Sequence, residues 1–345
     1  MSMPRLVDRH PELGSDELVA ALTPPPRFDE VRFDNYLPNP AEPSQAAAVA
    51  ACREFAADTG RSASGGGSWL RSLFGRGGRN GHSGGLPGLY LDGGFGVGKT
   101  HLLASLWHEV EQPKAYATFV ELTNLVGVLG FNEAVRRLSG HRLLAIDEFE
   151  LDDPGDTMLV TQLLSRLTDA GVRVAATSNT LPDKLGEGRF AAVDFLREIH
   201  AMAERFRVVR VDGPDYRHRD QPEPPEPLEE TELAERARAT PAATFDDFEQ
   251  LCAHLQRVHP SKYGRMVDDV AAVHLSGVHT VPNQGVALRV VALADRLYDR
   301  AVPVRVSGEP LSVLFGEEML AGGYRKKYLR ALSRLTALSR ELATS

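Results

Sequence analysis

Short apolar runs alternate with longer amphipathic segments through the middle of the chain. The runs have the length of buried strands, and the segments between them, such as residues 158–167, repeat apolar positions at helical spacing. Strands that alternate with helices in this way are typical of a parallel sheet. The sequence therefore predicts an α/β fold with a parallel five-stranded sheet, whose strands are expected at residues 89–91, 115–120, 143–146, 172–177 and 208–211.

A second, smaller group of elements is predicted after this core. Apolar residues at helical spacing predict helices at 245–259, 286–298 and 326–342, and an alternating pattern predicts a strand at 302–307. Together they predict a smaller C-terminal domain of mixed α/β type. Before the core, Ser44 is interpreted as the N-cap of an alanine-rich helix.

Two stretches of unusual composition separate these parts. Residues 60–88 are rich in Gly, Ser and Arg and can bury little apolar area, so we expect a flexible insertion. Residues 222–227 combine proline with glutamate, which disfavours both helix and central strand and predicts a linker. The predicted organisation is an N-terminal extension (1–58), the insertion (59–88), the core (89–217), the linker (218–242) and the C-terminal domain (243–345).

Composition and charge exclude several classes of protein. The chain of 345 residues is 42% hydrophobic and 25% charged, as in globular proteins, and it lacks a run of about 18 apolar residues that could span a membrane. Its formal charge of −8 disfavours general affinity for nucleic acid, which requires a basic surface. The two cysteines lie in unrelated contexts, so neither a disulfide framework nor a zinc site is expected. We expect a cytoplasmic protein.

The strongest functional pattern follows the first predicted strand. It matches G-x-x-x-x-G-K-[ST], the P-loop, placed between a strand and a helix. Glycines let backbone N–H groups turn toward phosphates, and the helix N-terminus adds partial positive charge. Lys99 is predicted to reach the β and γ phosphates, and the Thr100 hydroxyl to bind Mg²⁺. The residues predicted to bind ATP are Gly93, Gly94, Phe95, Gly96, Val97, Gly98, Lys99, Thr100 and His101.

Two acidic residues follow the third predicted strand. Asp147 and Glu148 come directly after the apolar run 143–146. Asp147 is predicted to join Thr100 in holding Mg²⁺, and Glu148 to act as the general base on the attacking water. A strand that simply ends in solvated acids is the alternative, which the preceding P-loop disfavours.

A polar amide ends the fourth predicted strand. Ligands of open α/β sheets bind at the carboxyl ends of the strands, so Asn179 is predicted to contact the γ-phosphate and the attacking water. An asparagine in an ordinary turn before Pro182 is the alternative, and the order of the elements favours the catalytic interpretation. The predicted enzyme is an ATPase in which Lys99, Asp147, Glu148 and Asn179 act on the β–γ phosphoanhydride.

The phosphate loop, the Asp-Glu strand and the terminal Asn resemble AAA+ ATPases in their order, and further motifs resemble the ZapE/AFG-type family. Phe-x-Asn-Tyr-x-Pro and Asp-Tyr-Arg are specific to this family, whereas the other motifs occur in many ATPases. The matching residues extend over nearly the whole chain and are 33–38, 43–45, 93–101, 147–149, 177–179, 182, 215–217, 297–299 and 333–335.

The resemblance implies a bacterial cytoplasmic enzyme that couples ATP turnover to remodelling of a protein partner at the division ring. The implied partner is the tubulin-like division polymer, and the implied state is a homo-oligomer compatible with peripheral association with the membrane-bound division machinery. Mitochondrial relatives are linked to quality control of inner-membrane proteins. The acidic start of the chain, with Asp8, Glu12, Asp16 and Glu17, disfavours a transit peptide and favours the bacterial branch.

One segment departs from the family pattern. Residues 186–195 differ from the string found in relatives, and this leaves open which arginine acts on a neighbouring subunit. Arg189 is our first choice for an arginine finger at the neighbour's γ-phosphate and Arg197 the second, with an ordinary solvated side chain as the alternative. Arg217 is expected either to sense the nucleotide or to form a salt bridge.

A basic cluster opens the last predicted helix and consists of Arg325, Lys326, Lys327 and Arg330. A solvated helix face is favoured over a site for an acidic partner.

Two other functions compete with the remodelling ATPase. A helicase-loader type of ATPase would act in DNA transactions, and the net charge of −8 disfavours it. A nucleotide-gated adaptor would bind ATP with little turnover, and the presence of Glu148 disfavours it because an adaptor needs no group that activates water.

Overall fold

The chain forms two compact units in the computed structural model. We call Ser15–Pro24 with Phe28–Tyr216 the core unit, and Met1–Gly14, Pro25–Arg27 and Arg217–Ser345 the C-terminal unit. The structure describes residues 3–12, 14–64, 86–150, 154–182, 185, 196–214 and 224–341, so most of the predicted insertion lies outside the described residues. Within these ranges, no helix is both long enough and apolar enough to cross a membrane.

A five-stranded sheet lies at the centre of the core unit. Its strands are β1 (Gly88–Gly93), β2 (Lys114–Thr118), β3 (Leu143–Asp147), β4 (Arg173–Ser178) and β5 (Phe206–Val211). They are ordered β2-β3-β4-β1-β5, and every neighbouring pair is parallel. The predicted parallel five-stranded sheet is confirmed.

Helices cover both faces of this sheet. Every residue of β1 and β3 is buried, as expected for strands whose two faces are both packed. Leu89 and Leu91 of β1 join one apolar cluster, whereas the intervening Tyr90 joins the other. The helices are α1 (Ser15–Ala20), α2 (Pro43–Ser64), α3 (Lys99–Glu109), α4 (Phe119–Leu129), α5 (Phe131–Leu138), α6 (Pro154–Asp169) and α7 (Leu196–Ala203).

The side chains of Thr118 and Ser44, at the starts of two helices, have different roles. Thr118 ends β2 and also caps α4, because its hydroxyl accepts from the N–H of Glu121 while the Glu121 carboxylate accepts from the N–H of Thr118. Ser44 does not cap α2, which already begins at Pro43. The Ser44 hydroxyl accepts instead from the N–H of Asp212 at 2.9 Å, so the predicted N-cap was wrong because the hydroxyl has a distant partner.

The C-terminal unit contains a second, three-stranded parallel sheet ordered β6-β7-β8. The predicted smaller α/β domain is thus confirmed. Its strands are β6 (Ala243–Asp247), β7 (Ala272–Val278) and β8 (Val304–Gly308), and its helices are α8 (Glu230–Ala239), α9 (Phe248–Leu255), α10 (Tyr263–Met266), α11 (Gln284–Asp299), α12 (Glu317–Ala321) and α13 (Arg325–Glu341).

Two segments of this unit differ from the sequence prediction. The helix predicted at 245–259 is wrong at its start, because Ala243–Asp247 forms β6 and the Asp247 carboxylate then caps α9 by accepting from the N–H of Gln250 at 2.9 Å. The stretch predicted as a linker contains α8, whose Leu233 and Ala237 are buried.

The N-terminal segment supplies part of the core of the C-terminal unit. Leu6 is fully buried in the apolar cluster of that unit. The Asp246 carboxylate accepts from the N–H groups of Leu6 at 2.9 Å and Val7 at 3.0 Å, and the N–H of Phe245 donates to the carbonyl of Pro4 at 3.0 Å. Burial raises the pKa of Asp246, and the two N–H groups oppose this rise.

Truncating Leu6 is expected to destabilise the C-terminal unit. Leu6→Ala removes buried apolar atoms and leaves a cavity, so we expect a loss of about 2–5 kcal/mol in the free energy of unfolding of this unit. Native-state hydrogen exchange of the β6 and α9 amides measures it. Val313→Ala is the control, because this side chain is 44% exposed. Equal exchange in the two variants would contradict the docking of the N-terminal segment.

Ion pairs link α11 to α13 in the C-terminal unit, and there Tyr298 and Arg334, which belong to two of the family motifs, are in contact. The Asp295 carboxylate on α11 accepts from Arg330, at 2.7 Å, and from Arg334, both on α13. The Arg334 guanidinium lies 5.2 Å from the centre of the Tyr298 ring. Arg330 is only 6% exposed, so its placement on a solvated helix face was wrong. Its charge is compensated by Asp295, whereas Arg325 and Lys326 are exposed.

Candidate active site

The P-loop connects the end of β1 to the start of α3. Its last glycine, Gly98, is the residue before Lys99, the first residue of α3, and has a φ of 92°, a left-handed conformation that favours glycine. The loop therefore ends at the N-terminus of an 11-residue helix, where the first backbone N–H groups and the helix dipole favour an anion. The predicted nucleotide-binding residues run without a break from the last residue of β1 through this loop into the first turn of α3.

The Lys99 side chain lies over the loop. Its ammonium donates to the carbonyl of Gly93 at 2.9 Å, to that of Gly94, and to the side-chain oxygen of Asn179 at 2.9 Å. Asn179 follows β4, so this contact joins the P-loop to the end of a neighbouring strand. The structure thus brings together two residues that are 80 positions apart in sequence.

The Asp147 carboxylate, at the end of β3, accepts hydrogen bonds from three hydroxyl groups of the described residues. Thr100 donates to its Oδ1 at 3.2 Å, Tyr116 donates to its Oδ2 at 3.0 Å, and Thr177 also donates to Oδ1. Asp147 is buried, and its three donors come from α3, β2 and β4. The carboxylate is therefore fixed in place directly beside the first turn of α3.

Glu148 follows with an unusual backbone conformation. Its φ is 54°, in the left-handed region that non-glycine residues rarely adopt. Its N–H donates to the Thr177 hydroxyl at 3.1 Å, and the next N–H, that of Phe149, donates to the Thr177 carbonyl at 2.7 Å. Strained residues held by their surroundings are concentrated at functional sites.

The family-specific segment 33–38 contacts the P-loop through Tyr36. The Tyr36 hydroxyl donates to the carbonyl of Val97 at 2.9 Å, inside the loop. The ring fills the space beside Gly98, where an added Cβ would lie 2.5 Å from a ring carbon. A side chain at position 98 is thus excluded by both the φ angle and Tyr36.

His101 faces the same segment. Its ring packs edge-on against Tyr36 with ring centres 5.3 Å apart, and its Nε2 lies 3.1 Å from the carbonyl oxygen of Arg32. Burial lowers the pKa of His101, and the contact with the Arg32 carbonyl opposes this shift. The side chain of this predicted nucleotide-binding residue is therefore held by contacts with Tyr36 and Arg32.

The Pro43-Ser44-Gln45 motif contacts the end of β5. The buried Gln45 side chain donates to the carbonyl of Asp212 at 2.8 Å and accepts from the N–H of Asn39 at 2.8 Å. Arg210, on β5, pairs with Asp212 at 2.8 Å and with Asp92, which is buried immediately before the P-loop. These bonds fix the residue just before the loop and the end of β5, which pairs with the end of β1.

Several predicted residues are not tested by this geometry. Arg189 and the Asp-Tyr-Arg motif, with Arg217, lie outside the described residues. Arg197 is exposed on α7.

Three side chains that bond the P-loop or Asp147 have no predicted role in the sequence, and they are Tyr36, Tyr116 and Thr177. For Thr177 a signal existed, because it lies two residues before Asn179 and alternate residues of a strand share a face. Tyr116 and Tyr36 act on residues distant in sequence, so their own neighbours gave no indication of it.

A family model described as "AFG1-like ATPase" matches residues 15–227 and 221–344 of the chain. The chain is 29% identical over 300 residues to "Cell division protein ZapE" of Escherichia coli K12, which covers 74% of this chain and 79% of that protein. It is 37% identical over 79 residues to "Lactation elevated protein 1 homolog B" of Danio rerio, covering 23% of this chain and 16% of that protein.

Two solved structures are similar to parts of this chain. Domain III of the Thermotoga maritima replication initiation protein DnaA matches with a TM-score of 0.40 and 22% identity, covering 63% of this chain and 74% of that chain. A DnaC helicase loader matches with a TM-score of 0.35 and 16% identity, covering 54% of this chain and 99% of that chain.

Proposed function

The chain belongs to the AFG1-like ATPase family and hydrolyses ATP, and on this premise we propose that the reaction takes place between the P-loop and the ends of β3 and β4. The observation that carries the proposal is the pair of contacts from Lys99 to Asn179 and from Thr100 to Asp147. Through them the P-loop helix reaches both strand ends, where ligands of open α/β sheets bind.

The loop and Lys99 would bind the phosphates. The start of α3 offers backbone N–H groups, and the Lys99 ammonium, over the loop, offers a charge for the β and γ phosphates. The Thr100 hydroxyl and the Asp147 carboxylate, 3.2 Å apart, are two oxygen ligands of the kind that Mg²⁺ prefers. They fit the proposed Mg²⁺, which would neutralise phosphate charge when bound with ATP.

Glu148 and Asn179 would act on the attacking water. In this proposal the Glu148 carboxylate accepts the proton of the water as it attacks the γ-phosphorus, and the Asn179 side chain orients the water. The bond to the β–γ bridging oxygen breaks, and ADP leaves with that oxygen. Asn179 is also the partner of Lys99, so its amide would lie beside the γ-phosphate.

A biological role in cell division is proposed by similarity to the Escherichia coli protein, whose name states that role. We propose that this chain assembles with copies of itself in the cytoplasm and uses ATP turnover to remodel a protein partner, the tubulin-like division polymer. Arg189, or failing that Arg197, would reach the neighbour's γ-phosphate and stabilise the charge that develops there.

Mixing two inactive variants tests the assembled state. An arginine finger is worth about 10³-fold or more in rate, so Arg189→Ala and Glu148→Gln should each be nearly inactive alone. A mixture should regain turnover, because an Arg189→Ala subunit keeps its own Glu148 and receives Arg189 from its neighbour. Phosphate release is measured against protein concentration, with and without the purified polymer.

The mixing experiment has two controls. Arg197→Ala replaces Arg189→Ala in a parallel mixture, and Arg238→Ala, on the exposed face of α8, should keep full activity. A mixture whose rate is only the sum of its parts, together with a native rate per subunit that does not depend on concentration, would contradict an arginine acting between subunits.

A further inference from the structure

Thr177 contacts both acidic residues of the site. Its hydroxyl donates to the Asp147 carboxylate and accepts from the N–H of Glu148 at 3.1 Å. Its carbonyl accepts from the N–H of Phe149 at 2.7 Å. Thr177 is only 2% exposed, so these bonds are shielded from water. One buried residue of β4 thus bonds three consecutive residues at the end of β3.

The backbone conformation of Glu148 needs support from its surroundings. Its φ of 54° is disfavoured for a residue with a Cβ, so the surrounding structure must hold it. On the C-terminal side of Glu148, the buried ring of Phe149 packs edge-on against the rings of Phe119 and Tyr90, with ring centres 5.4 Å and 6.3 Å apart. At Glu148 itself, the Thr177 hydroxyl bonds the backbone N–H.

We propose that Thr177 is a positioning residue that sets the direction of the Glu148 side chain through the backbone N–H of Glu148 and fixes the Asp147 carboxylate at the same time. A hydroxyl is required because it must donate to one residue and accept from the other, which neither an alkyl group nor a donor-only group can do. Thr177 would thereby act on the chemical step, not on the binding of ATP by the loop.

Two substitutions separate the hydroxyl from the rest of the side chain. Thr177→Val keeps the volume and the branched shape but removes both hydroxyl bonds, whereas Thr177→Ser keeps the hydroxyl. Loss of a group that orients a metal ligand typically costs about 10–100-fold in metal affinity or activity, and Asp147 is the proposed Mg²⁺ ligand here. We therefore expect Thr177→Val to lower kcat by about 10–100-fold with KM for ATP within about threefold of the native value, and Thr177→Ser to restore most of kcat.

A third substitution tests which acidic residue carries the effect. Tyr116→Phe removes a hydroxyl that bonds Asp147 but leaves the bond between Thr177 and Glu148. If Thr177 acts through Glu148 as well, Thr177→Val should lose more in kcat than Tyr116→Phe. If it acts through Asp147 alone, the two losses should be alike and should shrink together when Mg²⁺ is raised, which would overturn the role assigned to the Glu148 backbone.

Thr59→Val is the matched control for burial. Thr59 is also 2% exposed, and its hydroxyl bonds only within α2, to the carbonyl of Phe55 at 2.8 Å among its described contacts. It should keep the native kcat. Far-UV circular dichroism and thermal unfolding establish that each variant is folded.

Two further results would overturn the proposal. One is a folded Thr177→Val protein with native kcat, whether or not KM for ATP rises, and the other is an equal loss of kcat in Thr177→Val and Thr177→Ser. The proposal rests on the ATPase activity alone, because basal turnover is measured. Failure of the proposed partner or assembly would leave this test intact, and an inactive native protein would count against the ATPase assignment itself.

Discussion

Glu148→Gln is expected to abolish turnover while leaving ATP bound. The amide has the shape of the carboxylate but cannot accept the proton of the attacking water, and general base catalysis contributes about 10²–10⁴-fold. We therefore expect kcat to fall by about this factor, with the dissociation constant for ATP within about threefold of the native value. The backbone bond from Glu148 to Thr177 does not involve the side chain, so the fold of the site should persist.

Steady-state phosphate release and equilibrium binding of a fluorescent ATP analogue measure the two quantities separately. Glu109→Gln is the control, because it makes the same change of charge at an exposed position at the other end of α3. A Glu148→Gln protein that keeps a tenth or more of the native rate would contradict the role of general base.

Lys99→Ala is the second substitution with a large expected effect, and it should strongly weaken the binding of ATP. The ammonium now contacts Gly93, Gly94 and Asn179, and in the proposed complex it bonds phosphate oxygens. Hydrogen bonds to charged groups contribute about 1.5–3 kcal/mol each, so loss of two should weaken ATP binding by at least about 100-fold. The same fluorescence titration measures it.

Lys326→Ala, at an exposed position on α13, should bind ATP normally. The two large effects differ in kind, because Lys99→Ala should lose binding and turnover together, whereas Glu148→Gln should lose turnover alone. Native affinity in Lys99→Ala would show that the loop is not the phosphate site.

The main fold, and the proximity of the central residues of the candidate site, could be predicted because their signals are local. A P-loop is recognised within a dozen residues, and Asp147 directly follows an unbroken apolar strand. Few other structures produce the P-loop pattern, and its presence upstream disfavours the interpretation of Asp147 as a solvated acid at the end of a strand. The order of such elements along the chain was then enough to predict a parallel sheet, which the structure confirms.

What could not be predicted depends on contacts between distant parts of the sequence. No pattern around Leu6 predicts that its side chain packs in the core of a unit built mainly from residues 217–345. The bond from Tyr36 to Val97 crosses 61 positions, and that from Tyr116 to Asp147 crosses 31. A hydroxyl that fixes a backbone or a carboxylate across such a distance leaves no periodic pattern.

Polar residues in a buried strand explain why part of the C-terminal sheet is absent from the sequence prediction. β7 contains the fully buried His274 and the buried Ser276, so its apolar pattern is interrupted and no strand was predicted there. The helix predicted at 245–259 includes the last three residues of β6, and Phe245 and Phe248 are three residues apart, a spacing that fits a helix. In both cases pairing with neighbouring strands decided the structure.

The most direct test of the central claim is the fate of ATP bound to the native protein. The purified chain is given Mg·ATP, and ADP and phosphate are quantified over time, with and without EDTA. We expect repeated turnover that stops with EDTA, while Glu148→Gln holds intact ATP. Native protein that binds ATP tightly and leaves it intact would contradict the ATPase activity and favour a nucleotide-gated adaptor.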